Sequence, residues 1–296
     1  VLYLLDFRFF TETMAQYVTT GDTISAEPGV LRGHGTQLSE DGKENLVASV
    51  SGFVEKVNKL ISVRPLHSRY TGEVGDVIVG RILEVADKVW RVDVNSRQHG
   101  VLMLSSVNLP GVQVQRRRTD ADALQMRSFF KEDDLISCEV QKIQHDGSIS
   151  LHTRNDKYGK LINGVFVQVS SQIIKRCKQH FHSLPCGVDV ILGNNGFIWI
   201  QASSPKSESE NVTINSSSAS SNVVSKPITA DQRERIARVR NSVVALSQMH
   251  IAIYMETIMD VYEESVNLGL PAKEIVNPEV LTRVAQIALS RVANSR

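Results

Sequence analysis

The sequence predicts a multidomain, mainly β protein with a mixed α+β region and a helical C-terminal tail. Apolar and polar side chains alternate between residues 75 and 94, which is the period of half-buried β-strands. Apolar residues recur at helical spacing mainly after Thr229. With 296 residues, of which 42% are apolar and 22% charged, the chain is large enough for two or three folded domains.

A small β domain is predicted for residues 18–68, after an N-terminal extension at residues 1–17 whose fold the sequence leaves uncertain. Glycine-containing turn signals separate short β-branched runs throughout this part. The first ten residues are mostly apolar, but Asp6 and Arg8 interrupt them. This run is far shorter than the roughly 18 residues that a membrane-spanning helix needs, so no membrane segment is expected.

Residues 69–157 are predicted to form a five-stranded barrel of the OB type. A long polar segment separates the third and fourth strands, as in OB barrels, although strand count alone also allows a sandwich. In the second strand Trp90 shares one face with two valines, so Trp90 is predicted to be core and Arg91 to lie on the other face. The predicted strands are 75–85, 89–94, 101–104, 135–143 and 148–152.

Residues 158–296 are predicted to form an α+β domain with a helical tail. Residues 165–169 form a strand, and residues 188–192 and 197–200 form a hairpin around an Asn-Gly turn. Between them, Ser170 or Ser171 is predicted to cap a helix that runs to Phe181.

The helical tail follows a Ser-rich insertion at residues 202–226 that shows no apolar periodicity. Thr229 and Gln232 have the spacing of a capping box and predict a helix start. A second helical stretch surrounds Ile258–Tyr262, and Pro278 predicts the first turn of a third helix.

Binding to nucleic acid requires a local basic patch here, because 33 basic residues are balanced by 32 acidic ones. Arg116, Arg117 and Arg118 are consecutive in the loop before the fourth barrel strand, where guanidinium groups can pair with phosphates. A solvated charge run is the plain alternative. Lys88 and Arg91 are further candidate phosphate contacts on the barrel.

A second charge imbalance lies at residues 157–199, where five Lys or Arg residues face one Asp. Lys175, Arg176 and Lys178 all fall on the predicted helix of this region. Such a face attracts a phosphate backbone or an acidic protein, or it simply keeps the helix soluble.

The turn Gly193-Asn194-Asn195-Gly196 matches the Gly-x-x-Gly pattern with which KH domains clamp a nucleic-acid backbone. That clamp joins two helices, whereas strands are predicted on both sides of this turn. A structural turn or a contact between domains is therefore the favoured interpretation.

Catalytic and metal-binding patterns are not found in the sequence. Cys177, His180, His182 and Cys186 are compact in sequence, but their spacing matches no common zinc template. The chain offers no nucleophile elbow, P-loop or clustered triad. We therefore expect no cofactor, no metal and no enzymatic activity.

Taken in order, several segments resemble the RNA-exosome cap subunits that carry an OB domain, of the ribosomal S-one type, and a KH domain. Residues 72–82 are similar to the opening of that OB domain and residues 146–154 to its closing strand. Residues 192–200 resemble the Gly-x-Asn-Gly signature of exosome KH domains. Residues 21–23 and 32–36 resemble the N-terminal domain of the same subunits.

The resemblance implies an RNA-binding scaffold that does not cut RNA. Three cap subunits sit on a hexameric ring of RNase PH-like proteins, and single-stranded RNA threads past the OB domain towards an associated 3′–5′ exoribonuclease. Processing of RNA, including ribosomal RNA, in the nucleus, nucleolus and cytoplasm is implied. By position, Arg116–Arg118 are RNA-binding candidates, followed by Arg81, Lys88 and Arg91. A transcription or translation factor with the same domain pair is the alternative.

Overall fold

The computed structural model describes residues 16–25, 29–39, 45–65, 68–108, 120–155, 157–203, 228–277 and 280. Two compact units divide the chain, one up to Ser68 and the other from Arg69 onwards. The domain boundaries given above stay predictions.

The N-terminal unit is made of short strands, as expected for a small β domain. The strands form two sheets, of order β1-β6-β7-β3 and β2-β5-β4. Val18, Ala48 and Val63 form its small buried core. Its strands are β1 (Tyr17–Val18), β2 (Thr23–Ser25), β3 (Leu31–Arg32), β4 (Thr36–Leu38), β5 (Leu46–Ala48), β6 (Gly52–Val57) and β7 (Leu60–Pro65).

The predicted five-stranded barrel is confirmed. Its strands are β8 (Val77–Ala86), β9 (Val89–Asp93), β10 (Gly100–Val107), β11 (Leu135–Ile143) and β12 (Ile149–Thr153). The order β12-β10-β9-β8-β11 closes on itself because β12 also pairs with β11. Only β10 and β12 run parallel among these neighbours, and the short strand β13 (Gly159–Lys160) extends β11.

Trp90 lies in the barrel core, as the alternation predicts. Its side chain is fully buried, and its indole N–H donates to the carbonyl of Phe130 at 3.2 Å. Two short helices, α1 (Asp120–Leu124) and α2 (Met126–Phe129), precede β11. Met126 and Phe130 from this segment pack into the same core as Trp90.

A four-stranded antiparallel sheet forms the second half of this unit. It consists of β14 (Gly164–Gln168), β15 (Phe181–Leu184), β16 (Val188–Leu192) and β17 (Phe197–Ala202), in the order β14-β17-β16-β15. One face packs against helices α3 (Ala230–Gln248) and α4 (Met255–Asn267). The predicted capping box opens α3, because Thr229 and Gln232 exchange side chain to backbone hydrogen bonds.

The helix predicted to begin at Ser170 or Ser171 and reach Phe181 is wrong. Only Ser171–Ile173 forms a 3-10 turn, and Phe181 begins strand β15. Ile253 pairs with this segment instead, because its N–H donates to the carbonyl of Ile173 and its carbonyl accepts from the N–H of Lys175. These tertiary hydrogen bonds replace the intrahelical ones, so Lys175, Arg176 and Lys178 share no helix face.

The last predicted helix, from Pro278, lies outside the described residues except for Val280, which is helical. In the part of the chain that is described, no helix combines the length and apolar character needed to cross a membrane.

Candidate nucleic-acid interface

The turn at residues 193–196 faces the barrel rather than solvent. The N–H of Gly193 donates to the carbonyl of Phe197 at 3.1 Å, which closes the turn. Gly196 has a φ of 90°, and a Cβ there would meet the carbonyl oxygen of Val169. Asn195, between them, is fully buried. Most of this turn is therefore packed against the barrel and the neighbouring strands.

Asn195 joins the sheet of residues 164–202 to the barrel. Its side-chain amide donates to the carbonyls of Val79, at 2.7 Å, and Val94, at 3.1 Å. The backbone carbonyl of Asn195 accepts from the side-chain amide of Asn95 at 2.8 Å. These bonds reach the start of β8 and the end of β9, so they fix one end of the barrel.

Asp76 forms a second polar junction beside Asn195. Its buried carboxylate accepts from the hydroxyl of Tyr70 at 2.5 Å, the N–H of Glu73 at 3.1 Å and the side-chain amide of Asn194 at 2.8 Å. Burial and then the bond to Asp76 raise the pKa of Tyr70, so its hydroxyl stays protonated and donating. Arg176 pairs with Glu73 at the surface of this junction.

Aromatic side chains complete the contact between the two domains. Phe197 and Trp199 pack with Val79 of the barrel, and Phe166 meets Phe197 edge to face at 5.0 Å between ring centroids. The guanidinium of Arg81 lies over the Phe166 ring at 5.3 Å. This contact gives Arg81 a packing partner, and its assignment to RNA stays a prediction.

The barrel therefore has two different ends. Its KH-proximal end, where β8 starts and the 95–99 loop follows β9, is bound by the 193–196 turn. Its KH-distal end contains the β8–β9 turn at Lys88, the end of β10 near Asn108, and the end of β12. The backbone bonds from Leu104 to Lys88 and from Asn108 to Thr153 hold these strand ends together.

The predicted RNA contacts are only partly within the described residues. Arg116, Arg117 and Arg118 lie outside them, between Asn108 and Asp120 in the sequence. Lys88 is exposed at the KH-distal end. Arg91 is exposed on β9 and pairs with Glu84 at 3.1 Å.

Two features of the barrel surface were not predicted from the sequence. Arg154 is exposed directly after β12, at the KH-distal end.

A shallow pocket of about 200 Å³ lies on the outer face of β10, β11 and β12. Its polar lining includes Gln144, whose side-chain amide donates to the hydroxyl of Ser150 at 3.0 Å. The pocket is lined by Met103, Ser106, Gln141, Lys142, Gln144, Ser150 and Leu151. A single strand's alternation does not reveal which residues meet across three strands.

No group of three or more His, Cys, Asp or Glu side chains that could hold a metal ion is found where the structure is described. Cys177 and His180 precede β15, His182 lies on β15 and Cys186 lies in the turn after it, so the four do not share a helix. Burial lowers the pKa of His182 and raises that of Cys186, which favours their neutral forms.

An OB barrel joined through a buried Gly-x-Asn-Gly turn to a KH-type sheet defines a class of RNA-binding modules. The family model for the S1 domain of RRP4 matches residues 69–142, and a KH-domain model matches residues 164–206. Exosome complex component RRP4 of Bos taurus is 47% identical over 95% of this chain and 92% of its own length. The Mus musculus protein of that name is 50% identical over 90% of this chain and 87% of its own length, and the Saccharomyces cerevisiae one 39% over 95% and 84%.

The chain therefore belongs to the family of exosome complex component RRP4. This confirms the resemblance to exosome cap subunits. Within that group, the resemblance predicts ribosomal RNA-processing protein four, and the family assignment confirms it.

Proposed function

We propose that this chain is a non-catalytic, RNA-binding cap subunit of the RNA exosome. It stabilises the ring and guides single-stranded RNA to an associated 3′–5′ exoribonuclease. The observation that carries the proposal is the identity of 47% to exosome complex component RRP4 along nearly the whole of both chains. Work in the nucleus, the nucleolus and the cytoplasm, including ribosomal RNA processing, is part of the proposal.

The architecture supports a guiding role. The 193–196 turn bonds to the barrel at its KH-proximal end and leaves the KH-distal end clear of that contact. Lys88 and Arg154 are exposed there. Asn108, the last described residue before Arg116–Arg118, lies at the same end. Cations on a rigid frame attract the phosphates of a single strand without reading its sequence.

A non-enzymatic role is supported by the fact that the described residues from Arg69 onwards are taken up by the barrel and the KH-type domain. The phosphorolytic nucleases that carry OB and KH domains need a separate catalytic domain. Here the described residues from Arg69 onwards form the barrel, the KH-type sheet and its helices. Release of nucleotides from RNA by the purified chain alone would contradict this part of the proposal.

Copurification followed by mass spectrometry tests the assembly. A tagged full-length chain should bring down RNase PH-like ring subunits, the other cap subunits and an exoribonuclease. The second candidate, a transcription or translation factor with the same domain pair, predicts polymerase or ribosomal proteins instead. Recovery of the latter without ring subunits would overturn the proposal.

Replacing Arg116, Arg117 and Arg118 together by alanine should weaken RNA binding without disturbing assembly. The logarithm of the affinity falls with the logarithm of the salt concentration, and each lost phosphate contact makes this dependence shallower by about 0.7 for single strands. Loss of three contacts should reduce the magnitude of the slope by roughly 2. RNA protection by the assembled complex should fall accordingly. The control removes Arg233, Arg240 and Lys273, which are exposed on the helical side of the KH-type domain. An unchanged slope in the arginine variant would exclude the loop from the interface.

The N-terminal unit offers a surface for attachment to the ring. Leu31 pairs with Leu60, and Leu60 pairs with Val57, across three neighbouring strands. All three side chains are exposed, by 61%, 41% and 62% respectively. A row of aligned apolar side chains on a sheet is typical of a protein interface rather than of a solvated face. We assign this apolar row to contact with a ring subunit.

Changing Leu31 and Leu60 to serine should therefore reduce the fraction of the chain that copurifies with ring subunits. Both side chains are more than a third exposed, so the fold should survive the change. Leu124→Ser serves as the control, because Leu124 is 90% exposed on the barrel side. Equal recovery of ring subunits with all variants would argue against this surface.

A further inference from the structure

Two arginines lie near each other at the KH-proximal end of the barrel, at the opposite end from Lys88. Tyr70 forms a parallel bridge with Ser96, and the N–H of Tyr70 donates to the carbonyl of Asn95 at 3.2 Å. Arg69 and Arg97 flank this bridge on the two segments, and both are exposed.

The bridge brings the backbones of the two arginines together. Arg69 and Arg97 each lie one residue from it. With about 4.8 Å between bridged backbones and about 3.8 Å between consecutive Cα atoms, their Cα atoms lie within roughly 12 Å of each other. The backbone that carries them is held firmly, because Tyr70 bonds to Asp76 and Asn95 bonds to Asn195.

The charge of this Arg69–Arg97 pair is not neutralised locally. Among the described residues, neither guanidinium has a hydrogen-bond or ion-pair partner, in contrast to Arg91 with Glu84. The carboxylates of the same region have other partners: Glu73 pairs with Arg176, Asp93 accepts from the N–H of Asn95, and Asp146 accepts from Ser148.

The surroundings favour a nucleic-acid backbone over a protein surface. The loop of Arg97 also exposes Gln98 and His99, and it adjoins the β11–β12 turn, where His145 is exposed. These side chains are polar and planar, so they can bond to base edges or stack on bases. A protein interface instead centres on buried apolar side chains.

We infer that Arg69 and Arg97 form a second phosphate-binding site for the RNA strand that the KH-distal end of the barrel contacts. This inference rests on the proposed function, because it takes RNA as the ligand of the barrel. Strand β10 is eight residues long and therefore spans about 26 Å. The RNA must therefore run along the barrel to reach both of its ends. Two separated phosphate contacts fix the direction of the RNA on the barrel as well as its position.

The test uses the full-length chain and a fluorescently labelled polyuridylate longer than the roughly 16 nucleotides that one OB fold covers. Binding is followed by fluorescence anisotropy over a range of salt concentrations. Arg69→Gln with Arg97→Gln should reduce the magnitude of the slope of log affinity against log salt by about 1.4, at about 0.7 per contact. Arg69→Lys with Arg97→Lys, which keeps the charge, should retain most of the slope.

The control pair Arg233→Gln and Lys273→Gln removes the same charge from exposed positions on the helical side. An unchanged slope in the Arg69–Arg97 variant, or an equal loss in the control, would overturn the inference. So would an unchanged slope with poorer incorporation into the exosome, which would identify an acidic protein partner. If the Arg116–Arg118 variant lowers the slope while this variant does not, the proposed function survives and only the second site fails.

Discussion

Replacing Gly196 by alanine should lower the free energy of unfolding of the barrel and KH-type domain by about 3 kcal/mol. Two costs combine at this position. The φ of 90° strains any residue with a Cβ, and that Cβ would also collide with the carbonyl oxygen of Val169. The 193–196 turn must then shift, which pulls Asn195 away from its barrel partners.

Gly75 provides a matched control for the backbone strain alone. Its φ is also 90°, but nothing lies within 4 Å of the Cβ that alanine would add. Gly75→Ala should therefore cost only about 1 kcal/mol. Urea unfolding followed by the fluorescence of Trp90 and Trp199 measures both variants, with one tryptophan in each domain. Equal losses would mean that the turn can relax without disturbing the barrel.

Changing Asn195 to aspartate should be about as destabilising near neutral pH, by roughly 3–5 kcal/mol. The side-chain amide now donates to the carbonyls of Val79 and Val94. A carboxylate has no hydrogen to donate and would place a buried negative charge against two carbonyl oxygens. Asn195→Ala, which loses the same bonds without adding charge, should cost about 2–3 kcal/mol.

The pH dependence separates these two variants. Burial raises the folded-state pKa of the introduced carboxyl above its unfolded value of about 3.9. The Asn195→Asp variant is then most stable below the unfolded-state pKa, where the carboxyl is protonated in both states. Its free energy of unfolding falls as the pH rises through the folded-state pKa. The deficit of Asn195→Asp should thus shrink on acidification relative to that of Asn195→Ala in chemical unfolding experiments. A constant difference would indicate that the site admits water.

Local patterns were sufficient to predict the elements whose stability is mostly local. Alternation along 75–94 predicts both the strands and the burial of Trp90, because a strand with one buried face must alternate. Thr229 and Gln232 predict the start of α3 because their hydrogen bonds lie within one turn. The Asn-Gly turn likewise predicts the hairpin of β16 and β17.

Where partners are distant in sequence, the local pattern misleads. Residues 171–181 carry a plausible cap and apolar residues at helical spacing, yet Ile253, more than seventy positions later, pairs with Ile174. The site shows the same limit. The sequence shows only that Arg81 is a basic residue on a predicted strand. Its position over the Phe166 ring depends on how the two domains pack. Arg154 and the pocket around Ser150 become visible only once β10, β11 and β12 are adjacent.

The burial of Asn195 has a mechanical consequence. Since the 193–196 turn and Asp76 connect the KH-type domain to the barrel through hydrogen bonds at several points, no hinge separates them. Any rotation of the KH-type domain is therefore also a rotation of the KH-distal end of the barrel. A neighbour that touches only the KH-type domain would thus move the KH-distal end of the barrel with it.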